Sequence, residues 1–300
     1  MQRVSVIIPT YNHARFLSQA IESALGQTQQ PAEVIVVDDG SRDQTADVLA
    51  AFAGRIRPLR QMNRGVAAAR NAGAGLASGE FFAFLDADDI WLPPKLERQI
   101  ACFLAESDLG LVHCGVEEID ESGAGLKRRE DGLEGWVAHE LLLFRRAVIL
   151  GGGSGVMIPR AVFEDAGGFD ERLSTSADWD LYYRIASRWR VGFVREVLLQ
   201  YRLHGSNMHG NVRAMERDML FALGKAFDNT ERKPGVARRR CYGNLHTALA
   251  GAFFANGDSR RFLANAVKSL LLTPGNVGRY LGYPLRWRRR KENAKTSAAI

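Results

Sequence analysis

Val34-Ile35-Val36-Val37-Asp38-Asp39-Gly40-Ser41 sets four consecutive β-branched apolar residues against a polar turn. A strand with one wet face alternates, so an unbroken apolar run is the mark of a strand covered on both faces of a parallel sheet. Working outward, Val4–Ile8 and Phe81–Leu85 are two further mostly apolar runs of strand length. In Arg15–Gln27, Phe16, Ala20 and Ala24 recur every four residues, as do Leu17, Ile21 and Leu25, which is helical spacing. Asp43–Phe52 and the Ala-rich Gly65–Ala77, which stops at Gly79, are read as helices as well. Strands alternating with helices predict βαβ units, right-handed crossovers and a doubly wound α/β fold with a mostly parallel central sheet. Ligands of such sheets sit beyond the carboxyl ends of the strands.

Past residue 90 the pattern predicts helices at Pro94–Ala105 and Asp178–Arg188, and strands at Gly110–Val116, Val191–Val194 and Val197–Tyr201. Residues 121–135, rich in Gly and charge, read as a mobile loop, and the chain is read as helical from Val212 onward. Breaks fall at Pro234–Gly235, Gly257–Asp258 and Pro274–Gly275, with Lys291–Ile300 read as frayed. The expected division is a domain over 1–210, with halves meeting near residue 115, followed by a helical extension over 211–300.

Composition narrows the class. At 46% hydrophobic and 25% charged residues the chain is ordinary globular material, which excludes a disordered or fibrous protein. No run approaches the roughly 18 apolar residues of a membrane span. Met1–Thr10 reads as a first strand rather than a leader peptide. Cys102, Cys114 and Cys241 have spacings of neither a disulfide framework nor a zinc site. A soluble chain in a reducing, cytoplasmic compartment is expected. Residues 231–300 carry 15 Lys/Arg against 3 Asp/Glu, while residues 1–230 carry 25 against 31. An acidic body with a basic tail points the tail toward a polyanionic surface, unless the tail is only a basic helical cap.

Three acidic stretches could carry chemistry. Pro9-Thr10-Tyr11-Asn12 and Asp38-Asp39-Gly40-Ser41 follow the first two strands. Together they form one wall of a crevice, where a ring, a hydroxyl and a carboxylate can hold a planar base; alternatively Asp38 and Asp39 cap the next helix. In Asp86-Ala87-Asp88-Asp89, directly after Phe81–Leu85, side chains at i and i+2 on a strand point the same way, so Asp86 and Asp88 are expected to converge while Asp89 turns aside. Paired carboxylates repel unless a cation bridges them, and Mg²⁺ or Mn²⁺ suits oxygen ligands and recruits phosphates. A solvated acidic turn is the alternative. Asp178 and Asp180 open an amphipathic helix, where either can be a cap or a base toward an incoming hydroxyl. Neither Gly-rich run, Gly73–Gly79 or Gly151–Gly155, has the spacing of a dinucleotide or P-loop site; the second permits a close backbone approach or a moving loop.

VSVIIPTYN, VIVVDDGSRDQT, GVAAARNAGAGLASGEFFAFLDADD, GGFDERL and ADWDLYYRI follow in this order over residues 3–204. In these blocks the chain resembles the family 2 glycosyltransferases, whose fold is GT-A and whose members are inverting, metal-dependent and use nucleotide-sugars. The resemblance implies that Pro9, Thr10 and Tyr11 line the nucleotide pocket and that Asp39 accepts from an imino N–H of the base, which suits uracil or thymine; a UDP-linked donor is preferred as the commoner case in the family. It places Arg70 near the diphosphate or bracing the acidic turn, with Asn71 in support. Asp86 would approach the ribose, Asp88 would ligate Mg²⁺ or Mn²⁺, and His204 would contact the phosphates or metal. Asp178 would be the general base, without the acidic residue that usually precedes it, since Ala177 stands there. Asp180 and Trp179 would support the helix and the acceptor pocket. A glycan or lipid-linked acceptor is implied, and Trp287-Arg288-Arg289-Arg290-Lys291, preceded by Tyr280, Leu281, Tyr283 and Leu285, suits the anionic inner face of a membrane. A sugar nucleotidyltransferase would need a Gly-rich basic loop after the first strand, and a nucleic-acid binder would leave the strand-end acids unexplained, so no nucleic-acid partner is expected.

Overall fold

The apolar run at Val34–Val37 lies in strand β2, second from one edge of a nine-stranded sheet. A computed structural model describes residues 2–205, 210–228 and 235–283. In chain order the first half is β1 (Val4–Thr10), α1 (Ala14–Leu25), β2 (Glu33–Asp38), α2 (Thr45–Ala51), β3 (Arg57–Arg60), α3 (Val66–Leu76), β4 (Phe81–Phe84), β5 (Ile90–Trp91) and α4 (Lys95–Ala105). The second half is β6 (Leu109–Ile119), β7 (Gly125–Arg129), α5 (Ala138–Leu143), β8 (Met157–Pro159), α6 (Arg160–Asp165), α7 (Ala177–Ala186) and β9 (Arg190–Arg202). Helices α8 (Val212–Asp228), α9 (Arg238–Ala255) and α10 (Ser259–Leu272) and a 3-10 turn (Pro274–Arg279) follow.

The strand order is β3-β2-β1-β4-β8-β6-β9-β5, with β7 paired to β6 alone. β1, β2, β3 and β4 are mutually parallel; β8 runs against both β4 and β6, so β6 and its parallel neighbour β9 run with β4. All seven residues of β1 are buried, as a central parallel strand requires. Along it side chains alternate between faces: Val6 and Ile8 pack with Leu17 and Ile21 of α1, whereas Ile7 packs with Val37, Phe82 and Leu181 on the opposite side. Met219, Leu223, Cys241 and Leu245 of α8 and α9 belong to that second cluster, so the C-terminal helices share a core with the sheet. Each such side chain contributes roughly 1.5–3 kcal/mol of burial, which the boundary expected at residue 210 does not interrupt.

Two expectations need correction. The stretch 121–135 is not a loop throughout, because Gly125–Arg129 pairs antiparallel with Val116–Ile119. That hairpin arm is charged and exposed, so it lacks the apolar alternation that marks a strand. Val191–Val194 and Val197–Tyr201 are one strand, β9, whose register against β6 jumps from Cys114–Val194 to Gly115–Val197. Arg195 and Glu196 form the bulge, and Gly115 tolerates it because a Cβ there would lie 2.7 Å from the Glu196 carbonyl. β3 escaped notice because an edge strand reading Arg-Pro-Leu-Arg has no apolar signal. Helix α3 ends at Leu76 with Ala77 as its C-cap, before Gly79, whose lack of a Cβ serves the backbone of Ser5 instead. Among the described residues the cysteines are unbonded, and no helix is long and apolar enough to cross a membrane.

Candidate active site

The carboxyl ends of β1, β2 and β4 open into a hollow of about 550 Å³. Pro9, Thr10, Tyr11 and Asp39 line it, together with Asp86 and Asp88 of the acidic turn and Ser174, Thr175 and Asp178 around the start of α7. The first two strand tips are tied together through Asn12, whose backbone is left-handed at φ 56°. Its N–H donates to Ser41 Oγ at 2.9 Å and its side-chain oxygen accepts from Arg42 N at 2.8 Å. Thr10 is buried, and its hydroxyl has no hydrogen-bond partner among the described residues. A buried unpaired hydroxyl is costly, so it marks a place where a ligand atom belongs.

Neither Asp38 nor Asp39 caps α2: its N-cap is Gln44, and the residue before it, Asp43, accepts from Thr45 N and Oγ1. Asp38 closes its own turn by accepting from Ser41 N at 2.8 Å. Asp39 accepts from Gln61 Nε2 at 2.7 Å, Arg64 N at 2.9 Å and Gly65 N at 2.8 Å. It thereby anchors the amino end of α3, where a carboxylate is favoured. A carboxylate has about four acceptor positions, so a base N–H at Asp39 would share it with these three donors.

The acidic turn after β4 sends its three carboxylates to different partners. Asp86 meets the buried Arg70 guanidinium at 2.5 Å, so Arg70 does brace this turn. Burial alone would lower the Arg70 pKa, yet Asp86, then Tyr182 and Asp178, raise it. Asp89 points inward, accepting from Ser154 Oγ at 2.5 Å and Arg202 N at 2.9 Å. Burial, with Asp88 and Asp86 alongside, raises its carboxyl well above the usual range. Asp88 faces the hollow, with His204 Nε2 at 2.8 Å from its Oδ2 and His13 Nδ1 at 3.9 Å. Asp86 and Asp88 therefore both line the hollow, though not by strand alternation, since β4 ends at Phe84. His204 stands behind Asp88, outside the lining, and His13, which the sequence did not single out, is on the lining itself.

No group of three or more His, Cys, Asp or Glu among the described residues forms a complete metal cage. One carboxylate with one or two imidazoles suits a transition ion such as Mn²⁺ better than Mg²⁺, with phosphate oxygens needed to fill the shell. The residues present fit a cation on those terms.

Asp178 lies in the first turn of α7 and its Oδ1 accepts from Trp179 N at 2.7 Å. The glycine run threads between it and the acidic turn. A Cβ on Gly152, where φ is 48°, would lie 3.6 Å from Asp178 Oδ2. One on Gly153 would collide with the Arg70 guanidinium and come within 3.2 Å of Asp86 Oδ2. Tyr182 donates to the Gly152 carbonyl at 2.9 Å; burial, then Asp178, raises its phenol well above the usual range. Ala177, at the position the related family fills with an acid, is buried.

Residues 5–166 match the sequence model of glycosyl transferase family 2. The chain belongs to that family. It is 35% identical over 206 residues to an uncharacterised glycosyltransferase of Rickettsia prowazekii (strain Madrid E), spanning 68% of this chain and 64% of that relative. The fold is GT-A and recurs in two solved structures. One is S. aureus TarS (residues 1–349) in complex with UDP-GlcNAc, at TM-score 0.64 and 16% identity, covering 92% of this chain and 82% of that one. The other is the mannosyltransferase PcManGT from Pyrobaculum calidifontis with GDP-Man and Mn²⁺, at TM-score 0.62 and 22% identity, covering 99% and 86%.

The remaining assignments divide. Asn71 braces not Arg70 but the GGFD block, donating to the Phe169 carbonyl at 2.9 Å and accepting from Phe169 N at 2.9 Å. Asp180 is buried and bridged to Arg184 and Lys225, a support for α7. Trp179 stacks on Phe144 and Tyr183 and is absent from the lining. Ser174, Thr175 and Tyr201 line the hollow although nothing in the sequence marked them. Trp287 and Arg288–Lys291 lie outside the described residues. Tyr280 and Tyr283 turn inward onto Phe254 and Phe262, so of the aromatic and apolar residues before the basic cluster only Leu281 is exposed among the described ones.

Proposed function

We propose that the protein transfers a sugar, with inversion, from a nucleoside-diphosphate sugar to a hydroxyl of a glycan or lipid-linked acceptor. The single observation that carries this reading is the shared hollow: Thr10, whose hydroxyl has no partner among the described residues, Asp39, Asp88 and Asp178 all line it. Pro9, Thr10 and Tyr11 receive the base and Asp39 accepts from its imino N–H, which favours uracil. Arg70 holds Asp86 toward the ribose. Asp88 and His204 would hold a divalent cation, which supplies Lewis-acid neutralisation of the departing diphosphate.

Asp178 takes the proton of the acceptor hydroxyl. The acceptor oxygen bonds to the anomeric carbon as the bond from that carbon to the diphosphate breaks on the opposite face. The hollow contributes chiefly by holding both reactants in line. A thermal-shift titration with UDP-, GDP- and dTDP-sugars, with and without Mn²⁺, tests the reading. One donor should stabilise the protein more strongly with the ion; no stabilisation by any of them would refute it.

We further propose peripheral contact with an anionic membrane through the C-terminal helices. Exposed Leu263, Val267 and Leu271 form an apolar line along α10, flanked by exposed Arg260 and Lys268. That is the composition of a helix lying in a lipid interface. Sedimentation with phosphatidylglycerol vesicles at low salt should carry the protein down, and its staying in the supernatant would remove the proposal.

A further inference from the structure

The segment that leads into α7 has no side-chain cap of its own: Ser176, at the N-cap, makes no side-chain capping bond. Yet Ser174 and Thr175 line the hollow just before Asp178. Their backbone and hydroxyl groups converge on one oxygen of α8, Asp218 Oδ2. Ser174 N donates at 2.7 Å, Ser174 Oγ at 2.8 Å, Thr175 N at 2.9 Å and Thr175 Oγ1 at 3.3 Å. The other carboxylate oxygen accepts from the Arg217 guanidinium at 3.1 Å. Asp218 is 1% exposed, and a buried carboxylate is tolerated only when its acceptors are filled in this way.

Seven residues further along the helix, Lys225 Nζ lies 2.5 Å from Asp170 and 2.9 Å from Asp180, which sits one position beyond Trp179 in α7. Helix α8 therefore grips the chain on both sides of Asp178. Apolar packing from Met219 and Leu223 brings α8 close, but it cannot fix a loop's direction. Charged hydrogen bonds, being directional and about twice as strong as neutral ones, do.

We propose that α8, which lies beyond the family-matched residues 5–166, is a working part of the active site, with Asp218 as the positioning residue of the acceptor-side wall. The inference rests on reading the hollow as a glycosyl-transfer site. Asp218 touches no reacting atom; it sets where Ser174, Thr175 and the Asp178 carboxylate stand.

The test uses full-length wild type, Asp218→Ala and Asp218→Asn. Amide hydrogen exchange of peptides covering residues 173–179 is compared with that of peptides in β1 and β2, without ligand. Steady-state kinetics with the donor that the wild type uses, and Kd for UDP and GDP with Mn²⁺, complete it. In Asp218→Ala, exchange over 173–179 should accelerate roughly tenfold while β1 and β2 stay unchanged. The kcat should fall about 10²-fold, as expected for a misplaced catalytic group, with nucleotide Kd within about twofold. Asp218→Asn keeps one acceptor oxygen in the same volume and should show the same pattern at smaller amplitude; it carries the test if the Ala variant does not fold. Unchanged exchange over 173–179, or a kcat within about twofold of wild type despite faster exchange, overturns the proposal. A wild type that turns over no donor removes the transferase reading instead, and the exchange result then decides alone whether α8 holds this wall.

Discussion

The two walls of the hollow are built by different means. Where the nucleotide is proposed to bind, Thr10 and Asp39 stand at the tips of adjacent parallel strands, in register from Ser5–Glu33 to Thr10–Asp38. Asp39 there accepts two backbone amides, from Arg64 and Gly65. At the acidic turn and around Asp178, the positions depend on single side chains: Arg70 holds Asp86, Tyr182 holds Gly152, and Asp218 holds Ser174 and Thr175. A wall made from sheet register is robust to most point changes. A wall made from directed side chains can be displaced by one.

The largest effect should separate the walls by function. Asp178→Asn removes the base and is expected to lower transfer about 10²–10⁴-fold with nucleotide Kd nearly unchanged. Asp39→Ala should do the reverse, weakening nucleotide binding about tenfold and sparing turnover at saturating donor. Kinetics and calorimetry on the same preparations check both, and a loss of binding in Asp178→Asn would break the division.

Next is Gly153→Ala. Its Cβ would collide with the Arg70 guanidinium, so the Arg70–Asp86 pair must part. Straining this pair, buried at Arg70 and partly exposed at Asp86, should lower the urea midpoint together with activity. A variant as stable and active as wild type would show that the glycine run has slack.

The third prediction concerns the anchor behind that run. His113 is fully buried; Leu150 N donates to its Nδ1 at 3.2 Å, so Nε2–H donates to the Leu133 carbonyl at 2.9 Å. Burial pushes its pKa down from 6.5 to about 4. The unfolded chain then binds the proton first, so the contribution of His113 is present above about pH 6.5 and is lost as pH falls through about 4. The loss amounts to about 3 kcal/mol over that window. Urea unfolding from pH 7 to 4 should show this difference between wild type and His113→Gln, and parallel curves would refute it.

The same contrast governs what the sequence reveals. Val4–Ile8, Val34–Val37 and Phe81–Leu85 are legible because burial on both faces leaves a largely apolar run, and their polar ends mark residues that line the hollow. The acidic turn is legible as chemistry, but which acid faces out is not, since Asp89 is turned inward by Ser154 and Arg202, 65 and 113 residues away. Asp178 is visible only through family resemblance. Ser174, Thr175 and Asp218 are invisible because nothing local distinguishes them: a serine, a threonine and a helical aspartate acquire roles only when α8 packs against α7. β7 and β3 are hidden for the opposite reason, having too little burial to leave a pattern.

A crystal structure of the full chain with Mn²⁺ and the nucleotide-sugar picked out by thermal shift tests the central claim most directly. The account predicts the base between Tyr11 and Asp39, the diphosphate at Asp88, and the anomeric carbon presenting to Asp178 the face opposite its bond to the diphosphate. A nucleotide bound outside this hollow, or an anomeric carbon turned away from Asp178, would contradict it.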